Sequence, residues 1–334
     1  MRSEKAHYKN ILIINFGQLG DVVVSAEIMR AVREQMAPAK VTLLVGTGAA
    51  EIARIANVAD EYIAYDRSLI SENRWLKGTA SAIDLIRELR RRRFDLVIDL
   101  FSRYETNLLG FVAGIPNRLY APRNTRSIDS LTNVEPAPPP FDPTRHITDR
   151  CFDLVSVLGV KRSSKPFRFL PPQTDIDRMA ELNPGLRGAI GIFPGAGHDS
   201  RKWPLERFAG LAEHIIERGR IPAVFLGPDE DGITDRVREM FPPETIIVKG
   251  LDLSGLIAAM ANLPAMVGND TGTTHIAAQT GLAVVLIIDK RAPADYRPMS
   301  GNVKVVDTDI VSEITPQDVR AALDAILDEI ETAK

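Results

Sequence analysis

The stretch Val267-Gly268-Asn269-Asp270-Thr271-Gly272-Thr273-Thr274-His275-Ile276-Ala277-Ala278 runs from an apolar strand through a small polar turn into a helix. A helix start of this kind is an anion site, because its first amides have no intrahelical partner and carry the positive end of the helix dipole. Gly272 lets a diphosphate approach the backbone closely, and Thr271, Thr273 and Thr274 add hydroxyl donors. His275 sits one turn into the helix, where its ring can face the same anion. The same residues also suit an ordinary strand-to-helix joint capped by Asp270 or Thr271.

A second joint of this type lies near the other end of the chain. Ile11-Leu12-Ile13-Ile14-Asn15-Phe16 is followed by Gly17-Gln18-Leu19-Gly20-Asp21 and an apolar run. Two such joints point to two nucleotide-fold halves. The first differs from a dinucleotide fingerprint, since Gly17 and Gly20 are three apart and Asp21 stands close to where a third small residue is needed. The next strand, Val41 to Val45, ends at Gly46, where a nicotinamide enzyme more often carries an acid for the ribose. The chain has no Gly-x-x-x-x-Gly-Lys-Ser/Thr loop, which argues against a P-loop nucleotidase.

Around these joints, short Val/Ile/Leu-rich runs alternate with amphipathic segments, the pattern of parallel sheets covered by helices. In the first half this predicts strands near 10–16, 41–46, 61–65, 95–100 and 117–120, with helices near 19–36, 48–56, 77–93, 104–113 and 145–159. Residues 134–143 hold too many prolines for a helix or central strand and are expected to form an extended loop. Residues 163–173 read as the interdomain linker. Beyond it, strands are predicted near 188–193, 222–227, 245–248, 264–268, 283–288 and 303–306, and helices near 204–218, 229–240, 253–261, 273–280 and 316–331. The architecture is therefore α/β, two doubly wound Rossmann-like halves facing each other. The domains are 1–166 and 175–334, with the last helix, 316–331, able to pack back on the first domain. Ligands of such sheets bind beyond the carboxyl ends of the strands, so the loops after Phe16, Phe193, Gly227 and Gly268 are expected to line one cleft.

With 334 residues, 45% apolar and 25% charged, the chain suits two globular domains of ordinary size. A single cysteine, Cys151, allows no intramolecular disulfide, and so few Cys and His leave no thiolate metal cluster. A cytoplasmic location is expected, because the apolar run after Asn10 is too short for a signal sequence or a membrane span. The first 150 residues carry 21 Lys+Arg against 18 Asp+Glu, and the remainder 20 against 26. Much of the basic excess lies in Arg87, Arg90, Arg91, Arg92 and Arg93, which close a predicted helix. Cations are favourable there on dipole grounds alone, and the functional alternative is contact with anionic headgroups at the inner face of the cytoplasmic membrane or with a phosphorylated glycan. Nucleic acid is not an expected partner, since the run has no interleaved aromatics and the chain is acidic overall.

Strand 189–193 leads into Pro194-Gly195-Ala196-Gly197-His198-Asp199-Ser200-Arg201-Lys202-Trp203-Pro204. Gly195 and Gly197 permit close backbone approach, and Arg201 and Lys202 can neutralise charge that builds on a leaving diphosphate. Trp203 and Pro204 read as a packing staple at a helix start, and His198 as a loop histidine of the kind most often found at the surface. Asp229 and Glu230, after Gly227, can bind ribose hydroxyls or simply populate a first helical turn. Asp175-Ile176-Asp177 matches a metal-binding Asp-x-Asp pattern but falls at a helix start and reads as capping.

Together these motifs resemble the bacterial glycosyltransferase family 9, which contains the ADP-heptose:lipopolysaccharide heptosyltransferases. The resemblance rests on residues 13–21, 94–100, Phe193 to Ala196 with Lys202-Trp203-Pro204, Leu226 to Glu230, and Asp270-Thr271-Gly272 with His275 and Ala277. It implies a GT-B fold around a central cleft and an inverting, metal-independent transfer with no cofactor. The nucleotide-sugar donor, ADP-heptose by preference, would be held mainly by the C-terminal half. It further implies that Asp21 is the general base and that the turn Asp270 to His275 holds the donor's diphosphate. Physical chemistry supports these roles. Asp21 faces the cleft from the acceptor side, where Gln18, Gly20 and Arg103 are also placed, while Arg201, Lys202 and the amides of Thr271 to Thr274 stabilise the leaving group. Gly195, Glu230, Gly272, Thr273 and His275 complete the donor side. Loops 67–77 and 123–145 are expected to receive the acceptor, a glycan or glycolipid such as lipopolysaccharide core. Two positions depart from the family pattern. Glu27 replaces a proline, and Ile288-Asp289-Lys290-Arg291-Ala292-Pro293 stands where a small neutral Gly-Pro-Thr turn is usual near the donor sugar. Two other readings stay open, a GT-B sugar-nucleotide 2-epimerase and a non-catalytic nucleotide-sugar-binding protein.

Overall fold

Ile11 to Ile14 and Leu96 to Ile98 are unbroken apolar runs with no polar alternation, the mark of strands covered on both faces, and they form the centre of a five-stranded parallel sheet. The structure, a computed structural model, describes residues 8–66, 75–292, 294–298 and 302–332. The chain divides into two units, Met1–Phe167 and Arg168–Lys334.

The first unit runs β1 (Asn10–Asn15), α1 (Leu19–Gln35), β2 (Lys40–Gly46), α2 (Ala50–Ile55), β3 (Glu61–Tyr65), α3 (Trp75–Arg92), β4 (Leu96–Asp99), α4 (Tyr104–Val112), β5 (Asn117–Tyr120) and α5 (Ile147–Ser156). Its sheet has the order β3-β2-β1-β4-β5, every pair parallel. The strand order reverses between β1 and β4, and such a switch point opens a crevice at the carboxyl ends of the strands.

The second unit repeats the plan with α6 (Gln173–Leu182), β6 (Ile190–Phe193), α7 (Leu205–Glu217), β7 (Pro222–Leu226), α8 (Thr234–Met240), β8 (Ile246–Lys249), α9 (Leu253–Met260), β9 (Ala265–Asn269), α10 (Gly272–Thr280), β10 (Ala283–Asp289), β11 (Val303–Thr308) and α11 (Pro316–Thr332). The sheet order is β11-β10-β9-β6-β7-β8, again all parallel, with its switch point between β6 and β9. α10 ends at Gly281, whose φ of 88° is the left-handed conformation that stops helices and suits glycine.

Two elements differ from the sequence reading. α6 occupies residues from which only a helix start had been inferred; its Asp177 pairs with Arg187 at 2.6 Å. The predicted helix 229–240 begins instead as a 3-10 turn over Pro228–Ile233, because the Glu230 carboxylate folds back to accept the Gly227 N–H at 3.0 Å. The last helix, predicted over 316–331, spans Pro316–Thr332 in the second unit. There α11 lies against β9, β10 and β11 and pairs with α7 through His214–Asp324, Arg218–Asp328 and Arg220–Glu331.

Candidate active site

At the first switch point, a chain of hydrogen bonds fixes Asp21. The buried Asn15 amide donates to Ser25 Oγ at 2.7 Å, and that hydroxyl donates to the Asp21 carbonyl at 2.7 Å. Asn15 Oδ1 accepts the Gly17 N–H at 3.0 Å, which shapes the turn ahead of α1. The Asp21 carboxylate sits in the first helical turn, where the dipole favours it. Its Oδ2 accepts the Gln18 N–H at 2.7 Å, and its Oδ1 makes no hydrogen bond among the described residues. Gly17 is required here, since a Cβ at that position would lie 2.2 Å from the Asp21 Cβ. Gln18, Gly20 and Asp21 therefore share one turn. Glu27, at the position of the family's proline, is half-buried, and burial raises its carboxyl pKa against the opposing pull of Arg162.

Asp99, at the neighbouring strand end, carries a role that the sequence did not reveal. It is fully buried; its carboxylate accepts the Thr106 hydroxyl, the Asn107 amide at 3.1 Å and the Phe101 N–H at 3.2 Å. Burial pushes its pKa up to about 7. Asn107 in turn accepts the Ile128 N–H at 2.9 Å, and Phe101 accepts from Arg123 at 3.0 Å, so one buried carboxylate organises the segment from 100 to 131. Arg103 is exposed at the start of α4. The proline-rich loop is extended as expected, and Pro138 to Phe141 cover a cavity of about 250 Å³ floored by Leu100 and Cys151. Burial drives the Cys151 thiol pKa up to about 12, so this sulfur is an inert packing group. Of the two expected acceptor loops, 123–145 lines this cavity, and 67–74 lies outside the described residues.

At the second switch point, Asn269 joins three segments. It is fully buried; its Oδ1 accepts the Trp203 N–H at 3.0 Å, and its amide donates to the Pro194 carbonyl at 2.8 Å. This holds the loop after β6 against the loop after β9. Trp203 is the expected packing staple, buried edge-on to Phe208 with its indole N–H bound to the Ile314 carbonyl at 2.8 Å. Gly195 lies against Glu230, where an added Cβ would come within 2.5 Å of the carboxylate. Gly195, Lys202, Asp229 and Glu230 thus line one cavity of about 270 Å³. The loops after Phe193, Gly227 and Gly268 converge in this unit.

The start of α10 is uncapped. Thr271 is in an extended conformation with no side-chain capping bond; the Gly272 and Thr273 N–H groups make no hydrogen bond among the described residues and remain available to an anion, whereas the expected Thr274 amide is already bonded to the Thr271 carbonyl at 3.1 Å. Thr274 departs from expectation: it is fully buried and its hydroxyl donates to the Asn269 carbonyl at 2.6 Å, which commits its proton to the fold. Arg201 approaches Asp270 at 4.0 Å, and His275 Nε2 lies 3.8 Å from the same carboxylate. His275 Nδ1 is buried without a hydrogen-bond partner among the described residues, beside the helix start. Lys202 bonds Asp199 at 2.8 Å, an interaction that raises the Lys202 pKa and lowers that of Asp199. His198 is exposed, and its ring Nδ1 bonds Ser200. Asp289 is gripped by Arg291 through two side-chain contacts of 3.0 and 2.7 Å and through the Arg291 N–H, which draws its pKa down to about 2. Among the described residues, no group of three or more His, Cys, Asp or Glu is placed to hold a metal ion.

The chain is similar to known proteins across most of its length. It is 24% identical over 233 residues to lipopolysaccharide heptosyltransferase 2 of Escherichia coli, covering 65% of this chain and 66% of that protein. Lipooligosaccharide heptosyltransferase 2 of Haemophilus influenzae is 25% identical over 153 residues, 42% of this chain and 44% of the relative. The matches thus span between about half and two thirds of these relatives. The fold superposes on the crystal structure of a family 9 glycosyl transferase from Veillonella parvula with a TM-score of 0.79 at 21% identity, covering 96% of this chain and 98% of that one. Two Rossmann-like units of this kind are the GT-B fold. The model of the family described as "Glycosyltransferase family 9 (heptosyltransferase)" matches residues 82–319, a span that takes in β4 with Asp99, the Gly195 and Glu230 loops and the start of α10; the chain belongs to that family.

Proposed function

We propose that the protein is an inverting glycosyltransferase that moves a sugar, heptose from ADP-heptose by preference, to a hydroxyl of a cell-envelope glycan such as lipopolysaccharide core. The observation that carries the donor assignment is the uncapped start of α10 with Arg201 and Lys202 nearby. A departing diphosphate needs fixed positive charge, and two cations with unpaired helix amides supply it without a metal. Asp270 and Glu230 offer carboxylates to sugar or ribose hydroxyls, and Gly195 and Gly272 leave the backbone open to close approach. On the first unit, Asp21 is the general base. The Gln18 amide fixes one oxygen of its carboxylate, and the other can accept the acceptor's proton. The charged turn Asp289-Lys290-Arg291, next to β9 through the β9–β10 pair, faces the sugar and tunes which one is taken. The reaction takes place in the cytoplasm. Family membership favours transfer over the 2-epimerase reading, because an epimerase needs no acceptor base.

The test is thermal unfolding with ADP, UDP, GDP and NAD, each with Mg²⁺ and with EDTA. A ligand at about 100 times its dissociation constant adds about 2.7 kcal/mol of stability. The reading predicts an ADP-selective rise that survives EDTA. A UDP-selective rise would move the assignment to another donor, and no rise with any nucleotide would contradict it.

A further inference from the structure

A helix on a sheet turns its apolar side inward, yet α4 is apolar on the side that faces water. Thr106, Asn107, Leu109 and Gly110 are buried, while Tyr104, Leu108, Phe111 and Val112 are 43–50% exposed. At 100° per residue these four lie within an arc of about 100°, a continuous stripe. Arginines ring it. Arg90 donates to the Val112 carbonyl at 2.8 Å, which brings the basic end of α3 and its Arg93 to one end of the stripe. The Arg118 guanidinium stands over the Phe111 ring at 5.4 Å. At the other end the Tyr104 hydroxyl bonds the Thr125 carbonyl, placing Arg126 alongside. Arg93 and Arg126 are exposed and form no ion pair among the described residues. A basic, apolar face on a chain whose net charge is -3 is a local concentration and not a consequence of composition.

We propose that this face is where the protein lies on an anionic lipid bilayer, with Tyr104, Leu108, Phe111 and Val112 at the headgroup boundary and the surrounding arginines on lipid phosphates. Charge decides the occupant. A twofold contact between two copies would set each arginine ring against its own image, whereas an anionic surface complements it. Attachment is peripheral, since no described helix is long and apolar enough to cross a membrane. Within the arginine run 87–93 read from sequence, Arg87, Arg91 and Arg92 pair with Asp84, Glu88 and Glu61, so Arg90 and Arg93 are the members that the contact joins to a second helix. It needs neither donor nor acceptor, so it stands or falls separately from the transfer reaction.

The experiment is co-sedimentation of the full chain with vesicles of phosphatidylcholine alone and of phosphatidylcholine mixed with phosphatidylglycerol. The protein is expected to pellet with the mixed vesicles at low salt and to be released at about 1 M salt, where the screening length falls to roughly 3 Å. Leu108→Ser with Phe111→Ser should weaken partitioning on the order of tenfold through lost apolar burial. Arg93→Glu with Arg126→Glu should do the same through charge, since each arginine contributes about fivefold. Melting temperature and ADP binding should be unchanged in both double variants, and if the serine pair fails to fold, the charge pair carries the test. Equal pelleting with both vesicle types, no pelleting at all, or full binding by a folded variant would overturn the proposal. So would self-association in solution that the serine pair abolishes, which would assign the face to a second copy.

Discussion

Gly17→Ala adds one methyl group and should cost more activity than stability. The new Cβ would sit 2.2 Å from the Asp21 Cβ and 2.7 Å from its Oδ2. Carbon atoms in ordinary contact stand roughly 3.5 Å or more apart, so the first turn of α1 or the loop before it must move by about 1 Å. Overpacking of this kind costs about 1–3 kcal/mol, which for a unit of this size is a melting shift of roughly 2–4 °C per kcal/mol. A displacement of about 1 Å in a reacting group can cost on the order of 100-fold in rate, and here the displaced group is the proposed base. The assay is turnover at saturating ADP-heptose beside calorimetric binding of ADP. Turnover should fall by about 100-fold while ADP affinity stays near that of the unaltered protein, because the residues proposed to hold the diphosphate lie on the second unit. Turnover within threefold of the unaltered protein would refute the reasoning, and so would loss of ADP binding in step with turnover.

Other consequences concern Asp99, Asn269 and Arg291. Burial raises the Asp99 pKa from an ordinary 3.8 to about 7, so between those values the folded state holds a proton that the unfolded chain has released. Stability should therefore fall as pH rises toward 7, by at most about 4 kcal/mol. Urea unfolding from pH 4 to 8 should show this slope, and Asp99→Asn should flatten it; parallel curves for the two proteins would count against the buried-carboxylate account. Asn269→Ala leaves the Trp203 N–H and the Pro194 carbonyl buried and unpaired, a loss of about 2–4 kcal/mol with weakened ADP binding. A change of less than about 1 kcal/mol would show that the two loops hold themselves. Arg291→Ala frees Asp289 and should alter KM for the sugar donor while leaving ADP affinity unchanged; equal changes in both would place this pair on the nucleotide instead.

Much of the fold is legible because parallel strands buried on both faces are unbroken apolar runs, and because a strand ending in a small polar turn marks a helix start. Ile11 to Asn15 and Ala265 to Asn269 are legible for that reason. The turn ahead of α8, Pro228–Ile233, is not legible as 3-10 because Pro228 and three carboxylates suit the first turn of either helix type, and the fold-back of Glu230 onto Gly227 is a feature of the folded loop. Asn269 belongs to a motif visible in the chain, but it works through Trp203 and Pro194, partners that lie far along the sequence; Asp99 has its partners close by, in Phe101 and Asn107, and what the sequence hides is its complete burial. Thr274 looks like another hydroxyl donor until its bond to the Asn269 carbonyl is seen. The outward stripe of α4 is hidden for a different reason. Leu108-Leu109-Gly110-Phe111-Val112 has the composition of core, and only the burial of the opposite face shows which side is left to water.

The central claim is that Asp21 removes the acceptor's proton while the second unit independently holds the donor. The most direct measurement is turnover of Asp21→Ala with ADP-heptose and a heptose-deficient lipopolysaccharide core, alongside donor affinity in the same preparation. The account predicts that turnover falls by about 10²–10⁴-fold with donor affinity nearly intact. Retained turnover, or equal loss of turnover and donor binding, would contradict it.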